Sequence, residues 1–117
     1  MTQLGEFETL VMLAVLHLGD SAYPPAVRTE IERRTKRTVA RGAVYVTLDR
    51  LESKRLLTSN VIHGLHGLHG LRGSEAAPGR RPRRVYRVAP KGVRAVKRAL
   101  DAVEQMRAGL EPVLERS

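Results

Sequence analysis

The alternation of apolar and polar positions divides the chain into a small set of elements. From Leu4 to Leu18, Phe7, Leu10, Val11, Ala14 and Leu18 recur at helical spacing, and Met12, Leu13, Val15 and Leu16 make the rest of that helix apolar too. A helix apolar nearly all round must be covered on both sides; in so short a chain, part of that cover is expected from a second subunit. Gly19-Asp20 ends it, and Ser21-Ala22-Tyr23-Pro24-Pro25 reads as a turn launching a second helix, because proline is tolerated at a helix's first positions. There Ala26, Val27 and Ile31 are placed inward, and Arg28, Glu30, Glu32, Arg33 and Arg34 outward, as far as Thr35-Lys36-Arg37. A third helix follows, with Val44, Leu48 and Leu51 as its apolar stripe, Arg41, Tyr45, Asp49 and Glu52 opposite, and Thr38 as the expected N-cap; it stops around Ser53-Lys54-Arg55. Leu56 to Ile62 and the alternating Arg84 to Val88 read as strands. The last helix opens at Ala89-Pro90-Lys91-Gly92 and runs to about Leu114. Val93, Val96, Leu100, Val103, Leu110 and Leu114 make a heptad-like seam that Arg107 interrupts, and Pro112 is expected to kink or fray the end.

Three helices, a strand, a loop, a strand and a long helix follow the order of a winged helix-turn-helix. The fold expected is therefore mainly α with a small β-hairpin, a winged helix-turn-helix plus a C-terminal dimerisation helix. Residues 1–89 form the DNA-binding domain, with the wing loop at about 63–83, and residues 90–117 the dimerisation helix. The surface for a second copy of the chain is placed on Phe7, Val11 and Val15 of the first helix and Val96, Leu100, Val103 and Leu110 of the last.

Charge changes the picture more than length does. The 117 residues suit one domain, but 21 Lys+Arg against 12 Asp+Glu leave a formal net charge of +9, mostly from arginine, which points to a polyanionic partner. The longest apolar stretch, Leu10 to Leu16, is too short for a bilayer, so no membrane association is expected and the chain is placed in the cytoplasm. The absence of cysteine excludes disulfides, zinc-thiolate sites and thiol catalysis. Aromatic residues are 3% of the chain, too few for a platform that stacks single-stranded bases. Double-stranded DNA remains as the expected partner.

The third helix carries the chemistry that suits it. Ala40, Gly42 and Ala43 keep its first turn slim, which allows close approach to a bulky partner and favours an anion at its N–H groups. An ordinary amphipathic helix with a solvated face is the alternative. In the loop, Arg80, Arg81, Arg83 and Arg84 form a basic cluster suited to the DNA backbone or the minor groove, the alternative being a solvated charge run. The same loop repeats a triplet three times, His63-Gly64-Leu65, His66-Gly67-Leu68 and His69-Gly70-Leu71. A period of three sends successive histidines to opposite faces of a strand, the glycines oppose a helix, and only Glu75 stands nearby to complete a shell. No metal and no cofactor are therefore expected. With no carboxylate pair, Ser-His-Asp order or phosphate loop, neither is an enzyme.

Leu4-Gly5-Glu6-Phe7-Glu8, Ala22-Tyr23, the segment from Gly42 to Glu52, and Arg84-Val85-Tyr86-Arg87-Val88-Ala89-Pro90-Lys91-Gly92 resemble the PadR family of bacterial transcriptional regulators, over nearly the whole chain and in its smaller subclass. The resemblance implies a homodimeric repressor on an inverted-repeat promoter site, associated with the nucleoid through DNA and released by a small aromatic or apolar effector. It also implies that Arg41, Gly42, Tyr45 and Thr47 face DNA and that Arg83 and Arg84 belong to the basic wing. Arg41 is then expected to contact a base edge or a phosphate, Tyr45 and Thr47 to bond phosphates, and Arg50 to support them. The chain departs from the family pattern at Pro24-Pro25 and Arg55, where glycine is usual or frequent, and at Ala89, where threonine is frequent. A winged-helix module that docks another protein, without sequence-specific DNA binding, is the alternative function.

Overall fold

The computed structural model describes residues 3–62 and 82–116. The His-Gly-Leu triplets, Glu75, Arg80 and Arg81 lie outside those residues.

Helix α1, Glu6–Leu18, starts two residues after Leu4 because Gly5 closes its N-terminus: the Gly5 N–H donates to Glu8 Oε1 at 2.9 Å, and Thr9 Oγ1 donates to the Gly5 carbonyl at 2.9 Å. A single 3-10 turn, Gly19–Ser21, leads through extended Tyr23 into α2, Pro24–Thr35. Lys36 then takes a left-handed conformation, φ 62°, and its N–H closes α2 on the Glu32 carbonyl at 2.9 Å. Helix α3, Arg41–Ser53, begins later than an N-cap at Thr38 requires; the cap position is Ala40, with no side-chain hydrogen bond. The reason is Val39. Its side chain is buried in the core and its backbone is held by α2, so the helix cannot start until the chain has left that anchor.

The core collects Val11, Met12, Ala14 and Val15 from α1, Val27 and Ile31 from α2, and Val44, Leu48 and Leu51 from α3. The stripe of α3 is the one the apolar spacing predicted; in α2 Val27 and Ile31 are buried and Ala26 half-buried; in α1 the core face is turned, with Met12 and Val15 buried beside Val11 and Ala14 while Phe7, Leu10 and Leu18 are half-buried. Glu30, placed outward by its polarity, is buried, and Arg33 and Arg34 pair with its two carboxylate oxygens. Strands β1, Leu57–Ile62, and β2, Arg83–Val88, form an antiparallel hairpin in which Leu57 faces Val88 and Ile62 faces Arg83. The Tyr86 N–H donates to the Ala22 carbonyl at 2.8 Å, which ties the hairpin to the turn before α2.

Helix α4, Pro90–Arg107, leaves the hairpin at Ala89, whose N–H donates to the Leu56 carbonyl at 3.0 Å. Gly92 permits this junction: a Cβ there would overlap the Leu56 carbonyl oxygen and come within 2.8 Å of Met12 Cε. Only Gly92, Ala95 and Val96 of α4 are buried. The helix does not reach Leu114 unbroken. Ala108 turns extended, Gly109 takes φ 91°, and a separate short helix, α5, Glu111–Glu115, begins with Pro112 in its first turn. Pro112 has no N–H to return to the Ala108 carbonyl, so it starts a new turn instead of kinking the old one.

Candidate nucleic-acid interface

The helix-turn-helix is built from α2 and α3 and fastened at its turn. Arg28 Nε donates to the Val39 carbonyl at 2.7 Å, and the Val39 N–H donates to Glu32 Oε2 at 2.8 Å. Arg28 and Glu32 themselves lie one helical turn apart, 3.7 Å between Nε and Oε2. Both polar groups of the buried Val39 backbone are thus satisfied by side chains of α2, and α3 leaves the turn in a fixed direction. At the other end of α3, Lys54 Nζ pairs with Glu8 Oε2 at 2.9 Å. Burial pushes the Glu8 carboxyl up, but the Gly5 N–H and the Lys54 ammonium outweigh it, so the net shift is downward.

The outer face of α3 presents Arg41, Gly42, Tyr45, Val46, Asp49 and Arg50 to solvent. Arg41, Gly42, Tyr45 and Arg50 were expected there. Thr47 was not well placed by that expectation: it is 5% exposed. Positions 44, 47, 48 and 51 fall on one stripe of a helix, so Thr47 faces the core with Val44, Leu48 and Leu51 and is removed from the outward set. Val46, 54% exposed, takes its place on the surface. The apolar stripe alone would have revealed it, since Val46 is a β-branched residue outside that stripe. Beside this face, a cleft of about 160 Å³ separates the starts of α2 and α3, lined by Pro24, Pro25, Arg28, Arg41, Val44 and Tyr45.

Strand alternation sorts the arginines of β2 onto two faces. Arg84 lies on the side of α3, where its guanidinium donates to Ser59 Oγ at 2.9 Å and the Ser59 hydroxyl donates to Glu52 Oε2 at 2.7 Å. Tyr86 is buried on the same face. Burial first, then the charges of Asp49 and Glu52, push its phenol above the ordinary tyrosine value, so it stays neutral. Arg83 and Arg87 lie on the other face. Arg87 pairs with Asp20 at 2.9 Å, and the Arg83 guanidinium carbon sits 4.0 Å from the centre of the Tyr23 ring. Tyr23 entered the sequence analysis only as part of a turn and of the family resemblance, with no role attached; nothing in the spacing of residues 23 and 83 announces the contact.

The residues expected at a subunit interface divide in two. Val11, Val15 and Val96 are enclosed in the core of their own chain and cannot reach a second one. The reason is that α1 and the first turns of α4 pack on each other and on α3 and the hairpin. Phe7 is half-buried, and Leu100, Val103 and Leu110 are exposed. The free apolar surface is instead a groove of about 820 Å³ between α1 and α4, lined by Leu4, Leu10, Leu13, Ala99, Leu100 and Val103. Among the described residues no helix is long and apolar enough to cross a membrane, and no three His, Asp or Glu residues are grouped to hold a metal.

No protein-family model and no curated protein matches the sequence. Solved structures do match the fold. A PadR family transcriptional regulator from Eggerthella lenta superposes with a TM-score of 0.63 at 24% identity, over 96% of this chain and 88% of that one. A transcriptional regulator from Clostridium thermocellum gives 0.65 at 19% identity, over 90% and 86%. A PadR-like transcription factor from Bacteroides fragilis gives 0.63 at 19%, over 92% and 88%. Four long helices, a short fifth and a hairpin, matched over most of the length of each neighbour, give the chain the winged-helix fold of the PadR-family regulators.

Proposed function

We propose that the chain is a DNA-binding transcriptional regulator, a homodimeric repressor of the PadR type that sits on an inverted-repeat promoter site. The observation that carries this reading is the outer face of α3, basic at Arg41 and Arg50, slim at Gly42, and held in one direction by the Arg28–Val39–Glu32 clamp. An α-helix presented this way fits the major groove. Residues 3–62 and 82–89 supply the reading head and the base of the wing. The helices beyond residue 90 supply the contact with a second copy, which places two reading helices about one DNA turn, roughly 34–36 Å, apart. The groove between α1 and α4 has the volume and apolar lining that a small aromatic or apolar effector needs, and it borders the proposed subunit contact. Such a protein works in the cytoplasm, on the nucleoid.

The test is footprinting of the DNA upstream of the chain's own gene. Protection of an inverted repeat, surviving excess competitor DNA, is the expected result. The Arg41→Ala variant is expected to lose about 1–3 kcal/mol of binding there, the worth of one bidentate base contact. Binding that competitor abolishes would instead favour a winged-helix module that docks another protein.

A further inference from the structure

We infer that Tyr23 is a positioning residue for DNA: its ring holds Arg83 as a clamp for one backbone phosphate at the base of the wing. The inference rests on the DNA-binding reading given above and adds a residue and a ligand group to it.

Three observations lead there. The first is the stack itself, with the Arg83 guanidinium carbon 4.0 Å from the Tyr23 ring centre. A ring under a guanidinium covers its face and leaves the N–H donors, which lie in its plane, directed outward for a phosphate or carboxylate. The second is the contrast with its neighbours in β2. Arg84 is engaged by Ser59, itself bonded to Glu52, and Arg87 by Asp20; among the described residues no carboxylate stands within ion-pair distance of Arg83. The third concerns the start of α2. Its first two residues are Pro24 and Pro25, which have no N–H, so two of the free amides that a helix N-terminus offers a phosphate are missing. Arg83 stacks on the residue immediately before them and supplies a cation in their stead. The contact is also braced. The Tyr86 N–H bonds the Ala22 carbonyl at 2.8 Å, one residue from Tyr23, and so fixes the turn against β2.

The experiment uses the full chain and a mixed-sequence duplex, because a phosphate clamp does not depend on base sequence. Binding is measured across a salt series for the wild type, Tyr23→Phe, Tyr23→Leu, Arg83→Ala and the double variant, with thermal melts to confirm folding. Arg83→Ala is expected to lower the slope of log affinity against log salt by about one phosphate contact. Tyr23→Leu is expected to weaken binding about threefold, Tyr23→Phe to leave it unchanged, and Tyr23→Leu to add nothing in the Arg83→Ala background. An unchanged salt slope in Arg83→Ala, or equal losses from Tyr23→Leu with and without Arg83, would overturn the clamp while leaving DNA binding intact. A wild-type chain that binds no duplex at all would overturn the DNA reading, and the clamp with it.

Discussion

Arg55 shows how a single backbone angle can be costly. It takes φ 65° where α3 turns into β1, and the Leu56 N–H behind it closes on the Leu51 carbonyl at 3.0 Å. A side chain with a Cβ is strained in that left-handed region by roughly 1–2 kcal/mol. Glycine relieves the strain but gives some of it back through a freer unfolded chain. Arg55→Gly is therefore expected to stabilise the fold by about 0.5–1 kcal/mol, read as a raised midpoint in urea with an unchanged slope. Thr47 teaches a different lesson at the same scale. Its hydroxyl suits a phosphate, but its position on the helix turns it inward, and geometry decides over chemistry.

Among the elements, α2 carries a charge cluster of its own beside its apolar contacts. Val27 and Ile31 are its main buried hydrophobics, while Glu30 is buried beneath Arg33 and Arg34. Hydrogen bonds from Arg34 and then Arg33 hold the Glu30 carboxyl below the ordinary value of 4.5, and Glu8 in α1 is lowered as well. A carboxyl whose folded value lies below its unfolded one stabilises the protein above the unfolded value, and that stabilisation is lost as the pH falls through the folded one. The melting temperature is thus expected to drop with acid below pH 4.5, and to drop less steeply in a Glu8→Gln, Glu30→Gln double variant, in melts across that range.

At the scale of the whole molecule, the far half of α4 has too little to pack on. Val103 is 65% exposed and Met106 79%. Together with Ala99 they recur at helical spacing along α4, while Arg107, which breaks the seam read from the sequence, turns aside to pair with Glu104 at 3.3 Å. An apolar row of this kind on a projecting helix suits the contact with a second copy proposed above. A charge placed in it removes about 1.5–3 kcal/mol of burial from each subunit. Met106→Glu is expected to raise the dissociation constant of the proposed dimer at least about tenfold, seen as monomer in sedimentation at a concentration where the wild type pairs.

Periodicity alone determined the order of elements, the inward stripe of α3 and much of that of α2, and the hairpin, because a helix or strand that must bury one face writes that face into its residue spacing; α1, apolar nearly all round, left its core face open. The resemblance to the family added the turn at Arg55, as a departure from the glycine frequent there. Pro112 marked the end of the last helix, though as a kink or fray and not as the break at Gly109. Other features had no local trace. The enclosure of Val11, Val15 and Val96 depends on which apolar faces of one chain meet first. The Tyr23–Arg83 stack and the Val39 clamp join residues far apart or reverse the direction of the chain. Such contacts are decided by packing in three dimensions, since spacing along a chain records which way a side chain points and not what it meets.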